Sequence, residues 1–258
     1  MTIDYKGIQI YFNDVGTGDC VLLLHGFLEN LTMWDNLVPH ICKTHRVISI
    51  DLLGHGKTGC LEHIHTMEMM AEAVHAVLEH FKIEKTIIIG HSMGGYAALA
   101  FAELYPNKMS GLCLMNSTAL PDSEERQINR ERAIMAVKQN HKTFISMSVS
   151  NLFAPENRVI LKKEINHVKN ESLKMSVQGI IAALKGMKMR KNRELILHNT
   201  SYKKMMIIGQ KDPVLDYDNL IQQTNGTKVE LVQLTDGHMS HIENLKELTY
   251  YLLHFIEK

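Results

Sequence analysis

Thr86-Ile87-Ile88-Ile89-Gly90-His91-Ser92-Met93-Gly94-Gly95-Tyr96-Ala97-Ala98-Leu99-Ala100 is an uncharged run interrupted at its centre by glycines and one serine. A threonine and three isoleucines make a strand suited to burial on both faces, whereas Tyr96 to Ala100 is rich in residues that favour a helix. Extended to Ala102, the run still falls short of the ~20 apolar residues of a bilayer span, and its glycines and polar residues argue against one. The arrangement left is strand, sharp turn, helix. Gly90 and Gly94 bracket Ser92 in a G-x-S-x-G, whose glycines lie where strand and helix approach too closely for side chains. That pattern alone would arise by chance in roughly one chain of this length in ten at ordinary glycine content. Its position between a strand and a helix is what makes it informative.

The same alternation continues outward in both directions. Val21–Leu24, Val47–Ile50, Leu112–Met115, Met205–Ile208 and Val229–Leu234 are further short apolar runs, predicted with Ile87–Ile89 as buried strands of a parallel sheet. Met67, Met70, Ala71, Val74, Leu78 and Phe81 recur at helical spacing, as do Leu245, Leu248, Leu252 and Phe255. Asn244 with Glu247 three residues on reads as the cap of the second helix. Ile8–Phe12 and the residues around Tyr5 predict an antiparallel hairpin at one sheet edge, ended by Gly16-Thr17-Gly18. From about 117 to 200 the strand pattern gives way to helical stretches such as Ile128–Lys138 and Val177–Met187. The expected architecture is α/β: a mostly parallel central sheet with flanking helices, as a single domain over 1–258 carrying a helical insertion at about 117–200.

Composition narrows the classes of function. The 258 residues are 45% hydrophobic and 22% charged, ordinary for a globular protein. Lys+Arg and Asp+Glu both number 28, so no net charge draws the chain to nucleic acid or anionic lipid. Neither a nucleic-acid partner nor stable membrane insertion is expected. Cys20, Cys42, Cys60 and Cys113 show no C-x-x-C pairing or framework spacing, so free thiols in a reducing compartment are expected. The opening MTIDYKGIQI carries charges where a signal peptide is apolar. Together these point to a cytoplasmic protein, monomer or homodimer. His63 and His65 stand close together without the spacing of a metal site, and no metal or dissociable cofactor is expected.

A serine hydroxyl becomes a useful nucleophile only when a base takes its proton, and that base needs a carboxylate to orient it. Fifteen histidines compete for the role. Open α/β sheets assemble their sites beyond the C-terminal ends of strands. Asp212 follows Met205–Ile208 in that position, and His238 follows Val229–Leu234. Ser92, Asp212 and His238 are therefore the candidate catalytic residues, with Gly237 turning His238 back toward the sheet in preference to His241. Leu24-His25-Gly26-Phe27 ends the first buried strand, where the Phe27 N–H would meet a developing oxyanion together with that of Met93. His25, Asp51 and His55 read as structural groups satisfying loop backbone.

On the motifs LLLHGF (22–27), DLLGHGKT (51–58), GHSMGG (90–95), GQKDP (209–213) and DGHMSHIEN (236–244), the chain resembles α/β hydrolases of the esterase-like, helical-capped kind over nearly its whole length. The resemblance implies the α/β-hydrolase fold and the Ser92, Asp212, His238 order. Some members place the acid after the preceding strand, where Asn116 stands here and cannot serve. A nucleophilic aspartate, as in similar dehalogenases, is excluded by Ser92. The insertion falls where such proteins carry a lid. Some of Met135, Met147, Met175, Met187, Met189, Phe144, Leu152 and Phe153 would face the pocket while others pack the lid itself. The expected activity is hydrolysis of a small or medium carboxylic ester or thioester through an acyl-enzyme, with a small-molecule ester as the binding partner. Two alternatives remain open: a triad-bearing lyase or C–C hydrolase acting on an acidic metabolite, for which Arg126, Arg130, Arg132 and Arg158 could supply charge, and a ligand sensor of this fold acting through a protein partner.

Overall fold

The computed structural model describes residues 1–258. Its strands are β1 (Thr2–Tyr5), β2 (Ile8–Val15), β3 (Cys20–Leu24), β4 (Arg46–Ile50), β5 (Thr86–His91), β6 (Met109–Met115), β7 (Lys203–Gly209) and β8 (Val229–Leu234). They form one eight-stranded sheet in the order β1-β2-β4-β3-β5-β6-β7-β8. β1 and β2 are the antiparallel hairpin at one edge, and β2 also runs antiparallel to β4. Every pairing from β4 to β8 is parallel. Between the strands lie α1 (Val38–Ile41), α2 (Met67–His80) and α3 (Met93–Leu104). Next come α4 (Glu124–Ser150), α5 (Asn157–Ile160), α6 (Lys162–Ser172), α7 (Val177–Lys188) and α8 (Glu194–Asn199), all inserted between β6 and β7. The chain closes with α9 (Tyr217–Gln222), α10 (Ser240–Glu243) and α11 (Leu245–Glu257).

Strand side chains alternate between the two faces, so each apolar run feeds two cores. Leu22, Leu24, Ile48, Ile88 and Leu114 enter the layer under α2 and α3. Val21, Leu23, Val47, Ile89 and Met115 enter the opposite layer, where Leu248, Leu252 and Phe255 of α11 meet them. Burial on both faces is what an unbroken Val/Ile/Leu run requires. β8 departs from this expectation: as the edge strand it leaves Val229, Glu230, Leu231 and Gln233 partly or wholly exposed.

Thr66 caps α2 by accepting from the Met69 N–H. The cap expected of Asn244 does not form: the short helix α10 precedes α11, the Asn244 Nδ2 donates to Asp236 at 2.7 Å, and its Oδ1 is left without a partner. α4 is two helical segments joined at Asn140, whose backbone is extended. Its N-terminal end is fixed by Asp122, buried against Arg126, Arg130 and Arg190. Burial raises the Asp122 carboxyl, but Arg130 and Arg190 outweigh it and hold it below the usual carboxylate range. This cluster ties the start of α4 to the chain just beyond α7 and so aims one face of α4 at the sheet's C-terminal edge. No helix of the protein is long and apolar enough to cross a membrane.

Candidate active site

The turn after β5 is as crowded as its glycines imply. A Cβ at Gly90 would lie 2.5 Å from the Gly94 carbonyl carbon, and one at Gly94 would lie 2.2 Å from the Leu24 carbonyl oxygen. Backbone blocks both positions, so neither can yield cheaply. Ser92 itself sits at φ 49°, ψ −112°, a region that costs a non-glycine residue ~1–3 kcal/mol and must be held by its surroundings. Its N–H donates to Met115 O at 2.9 Å, and its carbonyl accepts from Ser117 Oγ at 2.8 Å and from the Gly95 N–H at 3.0 Å.

The turn projects Ser92 Oγ to 2.9 Å from His238 Nε2. His238 Nδ1 lies 2.7 Å from Asp212 Oδ2. An ionised carboxylate only accepts, so Nδ1 carries the proton and Nε2 is left free to accept from the serine. Asp212 is fully engaged: Oδ1 accepts from the Val214 and Leu215 N–H groups at 2.8 and 3.1 Å, and Oδ2 also accepts from Asn116 Nδ2 at 3.2 Å. Burial pushes its carboxyl up, but His238 and the two backbone donors prevail and hold it below the usual range. The three residues expected from sequence thus meet at one point.

Phe27, in the loop after β3, lines the same pocket as Ser92, and Met93 follows Ser92 at the start of α3. Neither N–H has a hydrogen-bond partner within the protein, which leaves both able to receive an oxyanion. His25 is internally satisfied, accepting from the Leu52 N–H at 2.9 Å, and Asp51 accepts from the Leu31 and Lys57 N–H groups at 2.8 Å each. Both fill the structural roles expected of them. His241 lies away from Ser92 and faces Glu29 at 3.3 Å, and burial pushes its imidazole down to about 4.

Ser92 and His238 open onto a pocket of about 380 Å³. Phe27, Leu28 and Tyr96 line its base, and Phe144, Leu152, Leu184 and Met187 come from the insertion. Arg126, Asn129, Arg130 and Ala133 also line it; their i, i+3, i+4, i+7 spacing puts them on one face of α4. Of the methionines considered from sequence, only Met187 reaches this pocket. Met135, Met147 and Met189 are 55%, 62% and 60% exposed, and Met175 is buried elsewhere in the core. Met135 falls off the α4 face that Asp122 aims inward, and apolar character alone does not reveal that direction.

Three groups in the site were not singled out from sequence. Asn116, noted only as unable to serve as an acid, donates both to Asp212 and to Gly237 O while accepting from Ser240 Oγ. Glu29 and His91 form a buried pair 2.6 Å apart beside Ser92 and His238. With His241 they place three potential ligand atoms within 4.8 Å, but two of those atoms are already joined to one another.

A family model described as the alpha/beta hydrolase fold matches residues 19–245. A thermophilic esterase from Thermogutta terrifontis, solved with malate bound, superposes with a TM-score of 0.92 at 29% identity, covering 99% of this chain and 96% of that one. The dihydrolipoyllysine-residue acetyltransferase component of the acetoin cleaving system of Pseudomonas putida is 26% identical over 93% of this chain, which spans 64% of that relative. A 2-hydroxy-6-oxo-2,4-heptadienoate hydrolase of Pseudomonas putida is 31% identical over 44% of this chain and 43% of its own.

Proposed function

This chain belongs to the alpha/beta hydrolase fold family, and we propose that it hydrolyses small or medium carboxylic esters or thioesters through an acyl-enzyme on Ser92. The observation that carries this reading is the unbroken path from Ser92 Oγ through His238 to Asp212 at the mouth of an apolar pocket. His238 Nε2 takes the serine proton as Oγ attacks the carbonyl carbon. Negative charge then gathers on the carbonyl oxygen, toward the N–H groups of Phe27 and Met93. The imidazolium, steadied by Asp212, returns its proton to the leaving alkoxide or thiolate. Water enters, His238 removes its proton as the oxygen attacks the acyl carbon, and the second adduct breaks its bond to Oγ as His238 returns that proton to Ser92, giving free acid and restored serine. A pocket of about 380 Å³ walled by Phe144, Leu184 and Met187 suits an acyl group of modest length.

A second reading keeps the same three residues but uses them on an acidic substrate, by C–C cleavage or a lyase step. It is favoured by Arg126 and Arg130 in the pocket wall, where Asp122 offsets only part of the charge of three arginines. The hydrolase of an oxo-dienoate among the relatives is consistent with it. Steady-state turnover of p-nitrophenyl acetate, butyrate and octanoate, set beside vinylogous oxo-dienoate acids, separates the two. The ester reading expects kcat/KM at least tenfold higher on an ester. Faster turnover of an oxo-dienoate would transfer the assignment to the second reading.

A further inference from the structure

Glu29 and His91 have no part in the proton path just described, yet they join the three loops that path depends on. Glu29 Oε2 accepts from the Gly26 N–H at 3.0 Å, one residue before the Phe27 oxyanion donor. The same oxygen is 2.6 Å from His91 Nδ1. His91 Nε2 is in turn 2.9 Å from the carbonyl oxygen of His238. His91 immediately precedes Ser92 in the chain. One carboxylate and one imidazole therefore span the oxyanion loop, the serine turn and the base's loop, and both side chains are almost wholly buried.

We propose that Glu29 and His91 are positioning residues, a buried carboxylate–imidazolium pair that holds the oxyanion loop, Ser92 and His238 in register. The proposal rests on the Ser92 acyl-enzyme reading above. Its charge state follows from the contacts. Both ring nitrogens of His91 face acceptors, the Glu29 carboxylate on one side and the His238 carbonyl on the other, so two ring protons satisfy both. Burial opposes a charged ring, but the Glu29 charge and the two hydrogen bonds raise His91 above its ordinary value. For Glu29, burial acts upward and His91 overrides it, leaving the carboxyl at about 2. The other titratable groups facing His91 are His25, His238, His241 and Asp212, from four separate segments. His25 and His241 are held neutral-leaning by burial, so Glu29 is the neighbouring charge that sustains the imidazolium from outside the catalytic path.

Glu29 and His91 border the pocket beside Ser92, but their loss loosens the alignment of donors and base while leaving the Phe144, Leu184 and Met187 wall in place, so kcat should fall more than KM changes. Glu29→Ala and His91→Ala should each lower kcat by ~30–100-fold with KM within about threefold. Glu29→Gln is the informative conservative change. Its amide oxygen can accept from Gly26, and a neutral His91 can still donate to one of its two acceptors, so most of the connectivity survives without charge. Glu29→Gln should recover kcat to within about fivefold of wild type at pH 7. It should also abolish the alkaline decline of kcat that the charged pair predicts for wild type as the His91 imidazolium loses its proton. A purely structural role would leave that limb in place. Wild-type kcat in a folded Glu29→Ala or His91→Ala protein, or an unchanged alkaline limb in Glu29→Gln, would overturn the proposal. If the alanine variants fail to fold by thermal melt, the pH profile of Glu29→Gln decides alone. Failure of the acyl-enzyme reading is separately visible, since Ser92→Ala would then retain turnover.

Discussion

Asp212→Asn isolates what the carboxylate does, because the structure dictates how the amide must sit. The wild-type Oδ1 accepts two backbone N–H groups and Oδ2 accepts His238 Nδ1 and Asn116 Nδ2. If the new NH₂ group faced Val214 and Leu215, it would oppose two buried donors, each left unsatisfied at ~1–3 kcal/mol. Turned the other way, it opposes only the Asn116 amide, because His238 can change tautomer and accept at Nδ1. The second orientation costs less by about one such conflict. It leaves the proton on Nε2, pointing at Ser92 Oγ, and a protonated nitrogen cannot take the serine's proton. The expected loss in kcat is ~10³–10⁴-fold, about 4–5.5 kcal/mol in the barrier, alongside a stability loss of ~1–3 kcal/mol. The assay is kcat/KM for a short-chain p-nitrophenyl ester, with urea unfolding to establish that the variant is folded. A folded Asp212→Asn enzyme retaining more than about a tenth of wild-type kcat/KM would refute the tautomer argument.

His238→Ala should lose at least ~10³-fold in kcat, whereas His241→Ala, removing an imidazole that points away from Ser92, should stay within about fivefold; the reverse ranking in the same assay would move the base to His241. Leu184→Ala and Met187→Ala should shift preference toward longer acyl chains, while Met135→Ala and Met147→Ala, at exposed positions, should leave the chain-length profile of p-nitrophenyl esters unchanged. Glu29→Gln should also alter stability against pH in a defined window. Glu29 is depressed to about 2 from 4.5, so its contribution is present above 4.5 and lost as pH falls toward 2. His91 is raised above 6.5, so its contribution is present below 6.5 and lost as pH climbs through the folded value. The stability difference between wild type and Glu29→Gln, from urea midpoints, should therefore peak between these limits, and a difference flat from about pH 4 to 8 would argue against a charged pair.

What could be read from sequence and what could not divides along local and long-range lines. The strand-turn-helix about Ser92 is local: three isoleucines, two spaced glycines and a run of alanines act on residues a few positions away. The order of Ser92, Asp212 and His238 was legible for a related reason, since each follows an apolar strand and parallel strands expose their C-terminal ends together. Glu29 and His91 are joined across 62 positions, and no periodicity marks such a contact. The signal available was modest: an acidic residue three positions after Gly26, and a histidine inside an otherwise apolar turn. Asn116 was visible only as a residue that could not be an acid, and its amide bridge exists because β6 and β7 lie side by side. The inward face of α4 was hidden as well, because it depends on Asp122 gripping Arg126, Arg130 and Arg190 and on the break at Asn140. Met135 and Met147 therefore looked as eligible for the pocket as Met187. Asn244 had the residue type of a cap, but its Nδ2 is held by Asp236 in an orientation that leaves the capping oxygen Oδ1 without a partner.

The central claim is a covalent acyl group on Ser92, and intact-protein mass spectrometry tests it without knowledge of the natural substrate. Wild-type protein mixed with excess p-nitrophenyl acetate and quenched in acid within the first turnovers should gain one acetyl group, mapped by peptide fragmentation to Ser92, and Ser92→Ala should gain none. Acetyl mapped to another residue, or an equal gain in folded Ser92→Ala, would contradict the account.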